Sequence, residues 1–595
     1  MIFPQRTMPE ALAEVAAQGD SQRGYTFVSE EGESFYSFED LALQASRYAA
    51  AMRRAGARPG DRVALALPTN DEFVFTMLGA MHAGLVPVPM YPPTSLGRLG
   101  SYLEHAQYIL QASESAMLIT SSQVKQVVGS LIGRAVKRIY TVRELGVDTS
   151  EAPMAPLQTK DPAFIQFTSG STSRPKGVVL THGNLSVNTH CIMNLGLQVT
   201  PDDIGCAWLP LYHDMGLIGF IFAPITTATP VVLMSPLHFL KRPIEWLRLI
   251  TRHRASIGFS PNFGYGLCAS RIREQELDSL DLSSWRIAGC GAEPIQMATL
   301  SRFAQKFERA GFDRKAFLLC YGLAESTLAV SFSPLPAPPQ SEEIRLDEFT
   351  SQSIAQLVDD SKEVASVTVA NCGSPFAGHE IAIVDTKGKP CPPRHVGEIV
   401  LRGPSLMQEY DNNPAATHDI MQDGWLHTGD LGYLSDGDLF VCGRIKELII
   451  AGGRNYHPAD VEWALSDVPG IRPGRAVAFS VLPEQGEDVE RVVICLEAKG
   501  KPEQNEALIK AIKARVLEAL GIRVNDVVLL KRRSLPRTSS GKLQRNKTRE
   551  MYLNHTLATA ADNDGKLILL RHLLGSQWGL LRSRMALLVT GAPRR

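Results

Sequence analysis

The chain has 595 residues, 44% hydrophobic and 21% charged, an ordinary globular balance spread over more chain than one core holds, so several structural units are expected. Its 61 Lys+Arg stand against 62 Asp+Glu, which leaves no global field to gather nucleic acid or an anionic membrane. Nine cysteines, none in a CxxC pair, argue against a zinc or dithiol site and for buried reduced thiols in a reducing, cytoplasmic setting.

In chain order, residues 1–18 carry no apolar run of signal-peptide type. Residues 37–55 have helical spacing and lead into a strand-like run at 61–67; a buried helix is expected at 73–83 and a short strand at 85–89. The uncharged stretch 215–240 is broken by Pro224, Pro230 and Pro236 and reads as buried strand and helix, not as a membrane span. Alternating helix and strand patterns continue to about residue 440, the signature of an α/β fold. A smaller α/β segment follows, with strands expected at 475–481 and 490–497 and a helix at 504–520. The division falls at Gly443-Arg-Ile-Lys446, between a large N-terminal region and a domain of about a hundred residues.

Within that frame, Phe167-Thr-Ser-Gly-Ser-Thr-Ser-Arg-Pro-Lys-Gly177 lies between two apolar strand patterns. Small residues let backbone N–H groups approach an anion, hydroxyls add donors, and Lys176 supplies a mobile charge, so phosphate is the natural ligand. Gly177 after Lys176 and the glycine spacing exclude a Walker A loop. By itself such a loop is as readily a plain turn. The later runs Trp208-Leu-Pro-Leu-Tyr-His-Asp-Met-Gly216, Gly289-Cys-Gly-Ala-Glu-Pro294, Tyr321-Gly-Leu-Ala-Glu-Ser-Thr327, Trp425-Leu-His-Thr-Gly-Asp-Leu-Gly432 and Leu535-Pro-Arg-Thr-Ser-Ser-Gly-Lys-Leu-Gln-Arg545 are each compatible with bland structural roles. Their order is what carries information.

That succession resembles the adenylate-forming superfamily of acyl-CoA synthetases, luciferases and nonribosomal adenylation domains, over nearly all of residues 10–550. The resemblance implies a large N-terminal AMP-binding domain over 1–443, a hinge at 444–446 centred on Lys446, and a small mobile C-terminal α/β domain over 447–550 bearing a catalytic lysine. It implies ATP and Mg²⁺ as cofactors, with Thr168, Ser169, Gly170, Ser171, Thr172 and Lys176 as the phosphate cradle. Gly291, Ala292 and Glu293 would border adenine, Tyr321 would stack on it beside Gly322, and Ser326 or Thr327 would bond phosphate. Glu325 would hold the metal, a hard cation suited to carboxylate and phosphate oxygens. Asp430 would accept both ribose hydroxyls with Arg444 in support, because a carboxylate accepts two hydrogen bonds at once. His213 would stand at the site of chemistry and Lys542 would reach the α-phosphate. The loop Ala451-Gly-Gly-Arg-Asn-Tyr-His-Pro458 is similar to one that enters the site after the small domain rotates.

Within the superfamily, Val86-Pro-Val-Pro-Met-Tyr-Pro-Pro93, Tyr212-His-Asp-Met-Gly-Leu-Ile218 and a long crossing from Ser326 to Gly373-Ser-Pro375 resemble the fatty acyl-AMP ligase branch. The crossing holds a Pro-rich run at 334–339 and an amphipathic stretch at 344–369, so that 331–371 is a candidate ligase-specific insertion. The implied activity joins a fatty acid to AMP, releases pyrophosphate, and passes the acyl group to the phosphopantetheine thiol of an acyl carrier protein. A conventional acyl-CoA ligase, with an ornamental insertion, and a catalytically silent lipid- or nucleotide-binding module are the alternatives. Residues 551–595 lie past the resemblance; from 566 they carry Lys and Arg among leucines and no Asp or Glu. That fits a basic amphipathic helix touching a carrier protein or a membrane surface, or equally one docked on its own domain.

Overall fold

The computed structural model describes residues 3–557 apart from 94–98, 169–173, 360–363, 452–453, 467, 472–473, 482–489, 499–504, 532–533 and 539–541. The sequence expectations for the four cradle residues Ser169, Gly170, Ser171 and Thr172, and for the tail beyond 557, therefore lie outside the described residues.

The early elements form where side-chain pattern and caps agree. The helix Phe38–Arg54 starts at a capping box, in which the Ser37 hydroxyl accepts from the Asp40 N–H and the Asp40 carboxylate accepts from the Ser37 N–H. Asn70 caps the helix Asp71–His82 in the same sense, and its apolar positions from Phe73 to Met81 are buried. The strand Arg62–Ala66 runs parallel to Val86–Pro89 and to Met117–Thr120, giving a four-stranded parallel sheet with Ile139–Thr141 at its edge. Such strands need apolar side chains on both faces, which is how 63–67 and 85–89 read.

A nine-stranded sheet forms the larger layer. Its parallel centre joins Ile287–Cys290 to Ile257–Ser260 and Phe317–Gly322, and Val231–Met234 to Gly205–Ala207 and Gly24–Val28. The uncharged stretch resolves into the helix Asp214–Leu217, a π-helical turn Ile218–Phe222, the strand Val231–Met234 and the helix Pro236–Lys241. No helix of the described residues is long and apolar enough to cross a membrane. The π turn follows directly on the segment holding His213, and such turns often accompany functional sites.

Two antiparallel units complete the large lobe. The hairpin Pro162–Thr168/Lys176–Thr181 carries the short strand Glu409–Tyr410 on its outer side. Glu380–Val384, Gly397–Arg402, Trp425–Ser435 and Asp438–Arg444 form the other. After Arg444 comes a single 3₁₀ turn, Ile445–Glu447. Ala476–Val481, Arg491–Glu497 and Asp526–Leu530 make a separate three-stranded sheet, with Pro458–Trp463, Asn505–Leu520 and Arg545–Leu553 as its helices.

The stretch 344–369 is not one amphipathic element. It folds as an antiparallel hairpin, Ser341–Arg345 against Ser366–Ala370, with the helix Leu346–Gln352 inside it. Ile344, Phe349, Val367 and Val369 of this hairpin share one buried apolar cluster with Tyr433 and Phe440 of the large lobe and Ile449, Tyr456, Val461 and Leu465 of the small one.

Candidate active site

Strand ends of the large lobe converge with the helix Pro458–Trp463, the loop holding Arg537 and Lys542 and the start of the helix Arg545–Leu553 of the small lobe on a cleft of about 1670 Å³. Gln166, Phe167 and Thr168 enter it from the strand that leads into the cradle. Thr168 lies opposite Lys176 in the hairpin register, so both ends of the loop are fixed at adjacent points. The Gln166 side-chain amide donates to the Tyr212 carbonyl at 3.1 Å, tying that strand to the turn bearing His213. Gly216 completes the turn, because a Cβ there would meet the Pro210 carbonyl oxygen at 2.2 Å. Burial and the nearby charge of Lys542 push His213 down to about 3, so its imidazole is neutral near pH 7.

Asp430 sits at the centre of a buried polar knot. Its carboxylate accepts from the Tyr321 hydroxyl at 2.8 Å and from the Arg444 Nε at 2.7 Å. Burial raises its pKa while Arg444 and Tyr321 pull the other way. Each carboxylate oxygen keeps a second lone pair, so the group can still accept from a diol. Tyr321 is thereby pinned as part of the cleft wall. Glu293 accepts from the Phe263 N–H at 2.6 Å, and burial raises its pKa too.

The small lobe contributes Lys542. Its carbonyl accepts from the Thr538 N–H at 2.8 Å and its own N–H donates to the Thr538 hydroxyl at 3.0 Å, so its backbone is tied to Thr538. Lys542 and Arg537 both line the cleft. Burial lowers the Lys542 pKa, while Asp214, Glu293 and Asp430 favour its charged form. All three carboxylates belong to the large lobe, so this lysine is presented across the lobe boundary.

Of the residues singled out from sequence, Thr168, His213, Ala292, Glu293, Tyr321, Gly322, Glu325, Asp430, Arg444 and Lys542 share this cleft. Gly291, Lys176, Ser326, Thr327 and Lys446 do not line it. Gly291 is a packing glycine, since a Cβ would lie 2.5 Å from the Cys320 sulfur. The Ser326 hydroxyl donates to the Leu323 carbonyl at 3.0 Å and the Thr327 hydroxyl to the Ser405 carbonyl at 2.7 Å, so neither hydroxyl is turned to the cleft. Thr327 (φ +70°) and Ala292 (φ +67°) occupy positive-φ backbone, strain of a kind that clusters at binding sites. Lys446 is exposed within the 3₁₀ turn. Asp214 and Arg537 line the cleft without having been singled out; both sit inside runs the sequence had flagged, which was the available signal.

A second, narrow cavity of about 70 Å³ opens beside Asp214, Ala292, Tyr321 and Gly322, residues it shares with the main cleft. Its far wall is apolar and includes Met215, Phe220, Phe259, Leu328 and Phe332.

Comparison with known proteins decides the lineage. The model of the AMP-binding enzyme family matches residues 15–411, and that of the Disco-interacting protein 2-like AMP domain matches 446–562. The chain belongs to the AMP-binding enzyme family. It is 34% identical to a medium-chain-fatty-acid–[acyl-carrier-protein] ligase of Moorena producens, over 90% of this chain and 93% of that protein. A Caulobacter vibrioides protein that bears an acyl-CoA synthetase name is 37% identical over 93% and 96%. A solved chain from a study of fatty acyl-adenylate ligases of E. coli and L. pneumophila superposes with a TM-score of 0.87 at 35% identity, covering 93% of this chain and 99% of that one. The α/β architecture of a large lobe with a smaller C-terminal one is the adenylate-forming fold, and the chain is an adenylate-forming ligase that uses ATP.

Proposed function

We propose that this enzyme activates a fatty acid as its acyl-adenylate and delivers the acyl group to the phosphopantetheine thiol of an acyl carrier protein. In the first step a carboxylate oxygen attacks the α-phosphorus of ATP, a new P–O bond forms, and the bond from that phosphorus to the departing pyrophosphate breaks. Two anions must meet, so the site has to neutralise charge and hold them in line. The observation that carries the reading is that Lys542, a cation of the small lobe, lines the same cleft as Asp214, Glu293 and Asp430 of the large one. In that place its ammonium would stabilise charge moving onto the α-phosphate oxygens. Asp430, with Arg444 and Tyr321, would take the ribose and set the nucleotide's position. Neutral His213 would orient the acid's carboxylate by hydrogen bonding without adding charge.

The fatty acyl tail would occupy the narrow apolar cavity whose mouth is shared with the cleft. In the second step the carrier's thiol sulfur attacks the acyl carbonyl and AMP leaves. Enclosing the mixed anhydride between two lobes would protect it from water. One similar solved structure, a fatty acyl-adenylate ligase from L. pneumophila at a TM-score of 0.71 and 32% identity, holds acyl adenylate and pyrophosphate, which supports this reading.

Mg²⁺ fits the residues present. Among the described residues no group of three or more His, Cys, Asp or Glu could hold a metal by itself. Glu325 offers one half-buried carboxylate in the cleft, the single hard ligand that Mg²⁺ adopts when phosphates supply the rest. When bound, the ion would neutralise phosphate charge.

We also take residues 1–443, 444–446 and 447–550 as large lobe, hinge and small lobe, and 331–371 as the ligase-specific segment. What supports the carrier protein over CoA is the shared apolar cluster between that segment and the small lobe. The Arg454–Asp347 ion pair at 2.6 Å and the Phe349–His457 ring contact at 5.3 Å join the same two parts. They oppose the rotation on which a CoA-forming cycle depends. The Caulobacter relative's name favours CoA as acceptor. Mass spectrometry after incubation with ATP, a fatty acid and either CoA or phosphopantetheinylated carrier protein separates the two: acyl-carrier product with little acyl-CoA supports the ligase reading, and ready acyl-CoA formation overturns it.

A further inference from the structure

Tyr410 belongs to none of the runs that point to the site, yet it touches two of the charged residues assigned to it. The two-residue strand Glu409–Tyr410 pairs with Val178 and Val179, immediately beyond the cradle. Its hydroxyl donates to Glu325 Oε1 at 2.7 Å, and the Lys176 ammonium lies 4.6 Å from its ring centroid. The Glu325 carbonyl also accepts from the Met407 N–H at 2.8 Å, so the same short segment grips both backbone and side chain of Glu325. The ring itself is buried.

We propose that Tyr410 is a positioning residue for the nucleotide's phosphates and their metal, holding Glu325 by its hydroxyl and Lys176 on its ring face. The inference rests on the adenylation reading of Glu325 and Lys176. A lysine and a glutamate left close together would pair, and each would then offer the phosphates a neutralised partner. One neutral tyrosine between them prevents this. A phenol hydroxyl satisfies a carboxylate oxygen without neutralising its charge, leaving lone pairs for a cation. A ring face steadies an ammonium through a contact far weaker than an ion pair in a dry site, so its three N–H donors remain open to phosphate. Donation to the carboxylate enriches the ring in electron density, and the two contacts reinforce each other. Tyr410 thus keeps a cation and an anion at a fixed separation, both still available.

The two contacts separate by substitution. Tyr410→Phe keeps the ring and loses the hydroxyl; Tyr410→Met fills similar space and loses both. In the intact protein with ATP, Mn²⁺ binding followed by electron paramagnetic resonance should weaken about tenfold in Tyr410→Phe, the scale of a hydrogen bond to a charged group. Calorimetry of ATP in EDTA should give wild-type affinity for Tyr410→Phe and a loss of about threefold to tenfold for Tyr410→Met. Lys176→Gln should show a similar loss, and the double variant Tyr410→Met/Lys176→Gln should be no worse than the single ones. A residue that merely fills the core would lower the melting temperature without separating metal from nucleotide affinity. Unchanged Mn²⁺ affinity in Tyr410→Phe, or additive losses in the double variant, overturns the proposal. Fatty-acid-dependent pyrophosphate exchange by the wild type is the control: if it is absent, the adenylation reading itself fails, and if it is present while the variants bind like wild type, only the role of Tyr410 does.

Discussion

In the proposed mechanism the chemistry turns on Lys542. Removing one preorganised charge from an enclosed site typically costs about 10²–10³ in rate, so Lys542→Ala should lower acyl-adenylate formation at least about 10²-fold. Because burial lowers its pKa from the ordinary lysine value, its charge is lost at a pH below that of a free lysine. The proposed mechanism makes the charged form the active one, so kcat/KM for pyrophosphate release should fall as pH rises through this lowered pKa. Lys542→Arg, which stays protonated, should lose that alkaline limb while retaining a low rate. A limb that persists unchanged in Lys542→Arg would place the titrating group elsewhere. Asp430→Asn keeps the size of the side chain but removes the charge that pairs with Arg444 and accepts from Tyr321. Its KM for ATP should rise at least about tenfold, measured by pyrophosphate release at saturating fatty acid.

Sequence made residues such as Asp430 and Lys542 visible because each sits in a run whose neighbours are equally distinctive. Tyr410 had no such company. Its importance comes from strand pairing with Val178 and from a contact with Glu325, eighty-five positions away in the chain, neither of which leaves a local pattern. Thr327 is the converse case. Its place in a phosphate-suited run suggested a donor, but a positive φ and a bond to the Ser405 carbonyl turn its hydroxyl inward.

At the scale of elements, helical spacing and apolar runs were sufficient for the helices Phe38–Arg54 and Asp71–His82 and for the buried parallel strands. They were not for 344–369, where an apolar residue every few positions served a hairpin with a short helix inside it. Periodicity cannot tell those apart when the runs are only five residues long. What the hairpin does depends on Phe349, which is buried against His457 of the small lobe. Truncating a buried phenylalanine typically costs about 3–5 kcal/mol, whereas the exposed Arg454–Asp347 pair is worth at most about 1 kcal/mol. Phe349→Ala should therefore loosen the small lobe far more than Asp347→Ala. We predict faster hydrogen exchange in the strand Arg454–Tyr456 and a rise in acyl-CoA yield by mass spectrometry, with acyl-adenylate formation little changed. Equal behaviour of the two variants would show that the apolar cluster does not restrain the lobe.

For the whole molecule, one arrangement unites these observations: two lobes line one cleft, and the smaller adds Lys542 to the groups that the larger supplies. The sequence motifs name the groups on each side, but the lobe arrangement rests on contacts such as those of the 341–370 hairpin with Ile449, Tyr456 and His457. No single run encodes that. The most direct measurement is ATP–pyrophosphate exchange over fatty acids of graded length, with wild type and Lys542→Ala side by side. The account predicts exchange that requires a fatty acid and falls at least about 10²-fold in the variant. Exchange that survives intact without Lys542, or none with any acid in the wild type, would contradict it.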